Sequence, residues 1–447
     1  MILGELGAGK ETMQEPQVQK GGWTIVWLLF FFMLINFVDK AVIGLAAVPI
    51  MKDVGLTPKE FGLVNASFFF LFSISAVVTG FIVNRIQARW ALLVMGIVWA
   101  LTQFPMLGSI GLVTLMASRI ALGAGEGPAY PVALHAAYKW FPDELRTLPT
   151  AIIAQGAAIG VVLAIPVLDY VIEEYSWHWA FGLLGIVGMV WVLAWAMLGR
   201  EGSIAVTITA KSGQQIDRIS YSRLLLNGTT LACFATGFGA YWGLSLLVGW
   251  FTPFLIQGLG FTQKEASWIT TLPWAASPFV VITSGWVSQR LLTHGVTTRW
   301  ARGVLGGGCV ALGGAALMMM PYVPGAALKI AMMVIGIAVP AVFYVMTHAI
   351  VSEYTPVIQR GAMLAVNNAV ATSAGLIGPY VMGSVVQDAI KGGTGTAGGY
   401  MHGFWICGLV ALVCGLTGVI FLRPQGEAVR FAKSDGVGAA VRRGSGA

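Results

Sequence analysis

Asp39, Lys40, Arg119 and Glu126 are the four charged side chains that fall deep inside long apolar runs of this 447-residue chain, and their charges sum to zero. On insertion scales each costs ~2.5–3.5 kcal/mol at the centre of a membrane helix, so such residues persist where they pair, meet water or act on a substrate. Two carboxylates beside two cations are suited to moving protons with an anion. Desolvation favours the protonated acid, and a nearby cation favours the ionised one. Arg119 moving between Asp39 and Glu126 would decide which acid can hold a proton, and protonation would leave Arg119 and Lys40 free to receive an anionic substrate. The bland alternative is an ion-pair network that staples two helices together, a role apolar packing fills better.

These side chains need helices that bring them to one level. Arg119 and Glu126 stand in RIALGAGEGPAYP (119–131). Seven residues advance a helix ~10.5 Å and turn it by about 700°, which returns Glu126 nearly to the face of Arg119. Asp39 lies ~24 Å along the first apolar run from Trp23, and Arg119 ~12 Å into the fourth from Gly111, so Asp39 and Arg119 can meet if the two runs are antiparallel. Gly123, Gly125 and Gly127 permit close helix approach. Pro128 and Pro131 are expected to bend the helix and free backbone carbonyls that only protein or cavity water can satisfy. GAGEGP is not a phosphate loop, since no strand precedes it and no Lys-Ser/Thr follows.

The composition supplies such helices. Of all residues 57% are hydrophobic and 10% charged, with mean hydropathy +0.79, against about 25% charged in soluble domains. This is an all-α membrane protein. We read twelve spans, at about 23–49, 61–83, 90–109, 111–137, 148–170, 178–199, 224–251, 268–290, 300–320, 326–350, 361–388 and 400–422, each able to cross a bilayer core of ~30 Å. Of the 26 Lys and Arg residues, 19 fall on the side of the N-terminus and 5 on the other; Lys40 and Arg119 are the remaining two. The positive-inside rule then predicts both termini in the cytoplasm. The net charge of +7 is thereby a topology signal and calls for no nucleic-acid partner. The first residues lack a cleavable secretory signal. Cys233, Cys309, Cys407 and Cys414 all lie in spans as small packing residues, so no disulfide, metal or cofactor is expected.

The chain is written twice. GLTPKEFGLVNASFFFLFSISAVVTGFIVNR (55–85) aligns without a gap on GFTQKEASWITTLPWAASPFVVITSGWVSQR (260–290), at an offset of 205. Gly123, His135, Pro142, Arg146 and Gln155 likewise parallel Gly336, His348, Pro356, Arg360 and Asn368, at about 213. The expected organisation is a cytoplasmic segment (1–22), a six-helix bundle (23–199), a cytoplasmic linker (200–223), a second bundle (224–422) and a disordered cytoplasmic tail (423–447). Two parallel six-helix repeats are the layout of major facilitator transporters, whose halves rock about a midplane site.

Within that class the motifs resemble the anion:cation symporters, the group of sugar-acid, phthalate and vesicular organic-anion carriers. NFVDKA (36–41) is similar to their N-Y-x-D-R-x start of span 1, and RIALGAGEGPAYP to R-x-x-x-G-x-x-E-x-P-x-x-P in span 4. KWFPDELR (139–146), SWHWAFGLLG (176–185) and AVNNAVATSAGLIGPYVMGSVVQD (365–388) resemble the W-F-P-x-x-x-R, W-R-W-x-F and N…G-P…D segments. The resemblance covers about residues 20–425. It implies that Asp39 and Glu126 carry protons while Lys40 and Arg119 balance charge or hold the substrate carboxylate. It also implies a cytoplasmic gate at Gly80, Asn84, Arg85 and Arg89. The chain departs from the pattern at Asn84, which replaces an Asp of that gate, at Gln87 for Gly, at Lys40 for Arg, and at His178 for Arg. Phe72 and Ala76 stand where Tyr and Gln are usual, which makes the pocket less friendly to hydroxyls.

Further residues that could line the pocket are Gln155, Phe72, Tyr241, Trp274, Tyr344, Asn367 and Asn368, although polar groups in spans also join helices. The expected function is a monomeric, proton-coupled symporter in the cell inner membrane. It would import an organic carboxylate, an aromatic or other small acid being favoured, by alternating access. The alternatives are a sugar-acid symporter, a proton-driven exporter of the same fold, or a membrane sensor, which would have less reason to keep both acids.

Overall fold

The computed structural model describes residues 18–82, 86–142, 145–204 and 219–434. Among these, every regular element is helical. In bilayer-depth segments a helix satisfies each backbone N–H and C=O internally, which suits so apolar a chain. The first half comprises α1 (Gly22–Leu45), α2 (Ala47–Val54), α3 (Pro58–Ile82), α4 (Ala88–Gln103), α5 (Leu112–Glu126), α6 (Ala129–Tyr138), α7 (Thr147–Glu174) and α8 (Trp177–Leu198). After the short α9 (Tyr221–Leu225), the second half comprises α10 (Gly228–Pro253), α11 (Gln263–Thr293), α12 (Leu305–Met319), α13 (Ala326–Ala338), α14 (Val342–Tyr354), α15 (Val357–Thr372), α16 (Ala374–Lys391) and α17 (Gly395–Phe421). The last helix is α18 (Pro424–Ser434).

Among the described residues, ten helices or helical runs are long and apolar enough to cross a membrane. Two further segments read as spans fall outside those ten. One is α5 with α6, interrupted at Gly127–Pro128; the other is α11, with Pro273 and Pro278 in its interior and many Ser and Thr. Both nonetheless pack among the ten, α5 on α3 and α4, and α11 on α7 and α13.

The internal repeat has local counterparts. Thr57 and Glu60 form a reciprocal cap, in which Thr57 N–H donates to Glu60 Oε2 (2.8 Å) and Glu60 N–H to Thr57 Oγ1 (3.3 Å). Thr262 and Glu265 do the same at 3.0 and 3.3 Å, 205 residues later. Such a box satisfies N–H groups left over at a helix start. The break at Gly127–Pro128 also recurs, since an offset of 213 places it on Pro340–Ala341, within the 3-10 turn that separates α13 from α14. Pro131, by contrast, occupies the first turn of α6, where no helical N–H bond is required, so the bend is at Pro128. The break between α1 and α2 has a similar cause: Pro49 has no N–H to offer the Leu45 carbonyl four residues back.

The two ends of the bundle differ. At the α2 end, one apolar core joins both halves, with Val42, Ile50, Phe61 and Phe181 of the first against Leu246, Trp250, Phe254 and Phe404 of the second. At the linker end the core is divided. Ile25, Leu92, Ala133, Trp140 and Trp195 form a cluster in the first half, and Leu224, Val342, Ile350, Tyr354 and Leu422 another in the second.

Two boundaries differ from the sequence reading. Residues 224–225 belong to α9, and α10 begins at Gly228, with Asn227 Oδ1 accepting the Thr230 N–H at 2.8 Å. The tail is also not disordered from 423. Residues 424–434 form α18, which packs on α14 and buries Phe431 near Tyr354, with ring centroids 6.5 Å apart. The Gly-rich composition of the whole tail masked a short apolar stripe. Residues 1–17, 205–218 and 435–447, parts of the N-terminal segment, linker and tail, lie outside the described residues, as do Asn84 and Arg85 of the gate motif.

Candidate functional site

The glycines of RIALGAGEGP set the site's position by bringing α5 down on α3. A Cβ at Gly123 would strike the Phe68 carbonyl oxygen, and one at Gly127 the Phe72 carbonyl oxygen. Only glycine allows this backbone-on-backbone contact. It holds Arg119 and Glu126 against the Phe68 and Phe72 side of α3, while α1 supplies Asp39 and Lys40.

All four charged groups are sealed: Asp39 and Glu126 are each 1% exposed, Arg119 2% and Lys40 6%. Lys40 Nζ lies 2.5 Å from Glu126 Oε2. It also donates to Asn36 Oδ1 (2.6 Å) and to the Asn36 carbonyl (3.2 Å), one helical turn back. Three rings surround the ammonium, those of Phe37, Phe72 and Phe68, with centroids at 4.8, 5.4 and 5.8 Å. Excluding water in this way strengthens the ion pair, and the ring faces add a cation–π attraction.

Arg119 makes no hydrogen bond to either carboxylate. Its Nη1 donates to the backbone carbonyl of Asp39 (3.3 Å) rather than to a carboxylate, and its guanidinium carbon lies 5.3 Å from the Phe68 ring centroid. Arg119 Nε, Asp39 Oδ1 and Glu126 Oε1 have no hydrogen-bond partner. Helix geometry is the reason. Consecutive residues project about 100° apart, so Lys40 reaches Glu126 at the end of α5, while the neighbouring Asp39 lies against Gln103 at the end of α4. The direct link between the two oppositely charged pairs is therefore Lys40–Glu126.

Aromatic residues from both halves meet around this centre. Phe72, beside Lys40, and Trp274 are each 7% exposed. Phe37 stands edge-on to Trp274 (6.0 Å), Phe69 to Tyr241 (5.8 Å), and Tyr241 to Tyr344 (6.1 Å). Tyr344 Oη donates to the Ala240 carbonyl at 2.9 Å. Asn367 joins helices, its Nδ2 donating to Thr347 Oγ1 (3.1 Å), while its buried Oδ1 is unpartnered. Gln155 and Asn368 are half-buried. Of the gate motif, Gly80 lies in α3, and Arg89 at the start of α4 donates its N–H to Glu201 Oε2 (3.0 Å) and its Nη2 to the Ala196 carbonyl (3.2 Å). Among the described residues no His, Cys, Asp and Glu cluster could hold a metal ion.

Three polar residues escaped the sequence reading. Asn36 and Gln103 are each 2% exposed and Asp169 is 5% exposed. Asn36 carried a usable signal, four residues before Lys40 on one helix face. Gln103 and Asp169 stand near span ends, where polar residues are ordinary, so only the packed bundle shows them buried.

The Major Facilitator Superfamily profile matches residues 29–379. The chain is 26% identical over 420 residues to the hexuronate transporter of Bacillus subtilis (strain 168), covering 90% of this chain and 94% of that one. It is also 26% identical to the D-galactonate transporter of Escherichia coli O6:H1, covering 62% of this chain and 69% of that one. The probable sulfoacetate transporter of Cupriavidus necator is 27% identical, over 63% of this chain and 67% of its own length. In fold, the chain resembles a bacterial homologue of the human lysosomal transporter Spinster (TM-score 0.76, 16% identity, covering 91% of this chain and 98% of that one). A D-xylose–proton symporter is similar as well (TM-score 0.71, 16% identity, 91% and 99% covered). With helices alone among the described elements and a profile match over most of its length, the chain belongs to the Major Facilitator Superfamily, a family of membrane transporters and not of enzymes.

Proposed function

We propose that this protein is a proton-coupled symporter that imports a small organic carboxylate across a bacterial inner membrane by alternating access. It works as a monomer with twelve spans and both termini in the cytoplasm. The observation that carries this reading is the sealed quartet, in which Glu126 is held by Lys40 while Asp39 Oδ1 has no partner. An arriving carboxylate competes with Glu126 for Lys40. A proton on Glu126 releases Lys40 to the substrate, and a proton on Asp39 removes the second buried negative charge. With the N-terminus inside, the continuous core at the α2 end closes the outer side, and the divided core at the linker end leaves the inner side as the route of exchange.

The rings of Phe37, Phe72 and Trp274 and the absence of a hydroxyl at position 72 favour an aromatic or sparsely hydroxylated acid. The relatives named for hexuronate and galactonate favour a sugar acid as the second reading. Proteoliposomes with an imposed pH gradient decide both points. Uptake of benzoate-type acids is expected to exceed that of hexuronates, and Asp39→Asn and Glu126→Gln should each abolish gradient-driven accumulation. Accumulation that survives in both variants would sink the proton assignment.

A further inference from the structure

Asp169 has no place in the chemistry above, yet it is a buried carboxylate with no cation among its hydrogen-bond partners. It lies near the end of α7, and both its hydrogen-bond donors come from the other half of the molecule. Ser267 Oγ donates to Asp169 Oδ1 at 2.5 Å and Gln263 Nε2 to the same oxygen at 3.3 Å. Gln263 Nε2 also donates to the Leu45 carbonyl at 3.1 Å. That carbonyl is the one orphaned by Pro49, at the break between α1 and α2. One glutamine at the start of α11 thus ties α11 to both α7 and α1 across the seam between the halves.

We infer that Asp169, Gln263, Ser267 and the Leu45 carbonyl form a latch that holds the α2 end of the transporter closed and links its opening to the charged centre. Two features fit a latch better than a permanent staple. First, it has no ion pair. A charge-assisted hydrogen bond to a carboxylate is stronger than a neutral one, yet it can be exchanged for water when the seam parts. Second, backbone meets backbone elsewhere along the seam at this end. A Cβ at Gly44 would strike the Val248 carbonyl oxygen, one at Gly62 the Pro379 carbonyl oxygen, and one at Gly383 the Pro58 carbonyl oxygen. Glycines at these crossings let the backbones of the two halves come into direct contact.

The link to the centre is α1 itself. Leu45 follows Lys40 by five residues, about 7.5 Å of rise on one rigid helix. A change in the Lys40–Glu126 pair that shifts α1 also shifts the carbonyl on which Gln263 is hooked. Asp169 is in this sense a positioning residue, since it touches neither substrate nor proton site. The proposal rests on the alternating-access reading, but its test does not need the substrate.

The test uses the full chain with Cys233, Cys309, Cys407 and Cys414 replaced by alanine and spin labels at Lys52→Cys and Lys391→Cys. These two exposed positions lie at the α2 end of opposite halves. Pulsed dipolar spectroscopy in nanodiscs should give one short distance for the parent chain. Asp169→Ala should add a longer-distance population, raising the open-to-closed ratio about tenfold, the effect of losing one hydrogen bond to a charged group. Asp169→Asn, which still accepts from Ser267, should raise it less. Gln263→Ala should shift the ratio in the same direction, and the Asp169→Ala/Gln263→Ala pair should fall short of the product of the single effects, because both act on one latch. An unchanged distance distribution in well-folded Asp169→Ala, or strictly multiplicative effects in the pair, would overturn the latch. A chain with an intact latch that failed to carry any organic acid would overturn the transport reading instead.

Discussion

The two halves share a plan and differ in what they bury. Both start their second long helix with the same Thr-Glu cap, and both break a later one at the same place in the repeat, Gly127–Pro128 in the first half and Pro340–Ala341 in the second. At the offset of 213, however, Arg119 falls on Met332 and Glu126 on Val339, so the charged pair of the first half is replaced by apolar side chains in the second. The second half brings Tyr241, Trp274 and Tyr344 instead. Helix breaks and caps follow from backbone chemistry and recur in both copies. Buried charge is costly, and the quartet lies in one half alone while the other supplies aromatic walls.

The largest effects should come from unbalancing the charged half. Lys40→Met leaves the Glu126 carboxylate buried without its cation and should cost about 3–5 kcal/mol, read as a fall in melting temperature in detergent. Adding Glu126→Leu should recover most of that loss while uptake stays abolished. If Lys40→Met alone melts like the parent, the Lys40–Glu126 pair does not hold the quartet together.

Next in size are the matching glycines. Gly123→Ala drives a methyl into the Phe68 backbone and should destabilise the protein by roughly 1–3 kcal/mol. Gly336→Ala, its counterpart in the repeat, chiefly meets the end of the Leu317 side chain, which can move, and should cost less. Equal losses would mean that the two halves are packed alike after all.

The caps should then behave identically. Thr57→Ala and Thr262→Ala are each expected to lower the melting temperature by about 2–4 °C, with no change in substrate preference. Smallest of all should be Lys139→Ala and Arg302→Ala. Their ion pairs with Glu201 and Glu353 are part-exposed, and each is expected to be worth about 0.5 kcal/mol and to fade with added salt.

By itself the sequence determined the class of molecule, the duplication and the identity of four of the five buried charged residues among those described, because these depend on local quantities: run length, hydropathy and residue type at fixed spacing. The glycines of RIALGAGEGPAYP were legible as a close-packing signal for the same reason. Only the tertiary structure decided which charge meets which. One-residue neighbours on a helix point about 100° apart, so Lys40 and not Asp39 faces Glu126, and Arg119 rests on the Asp39 backbone. Asp169 looked like an ordinary polar residue at a span end until the second half folded over it. The helical stretch of the tail depended on Tyr354, far away in sequence, to bury Phe431. Spacing along one helix is written in the chain, whereas the partner across a helix interface is chosen by how whole helices rotate and pack against each other.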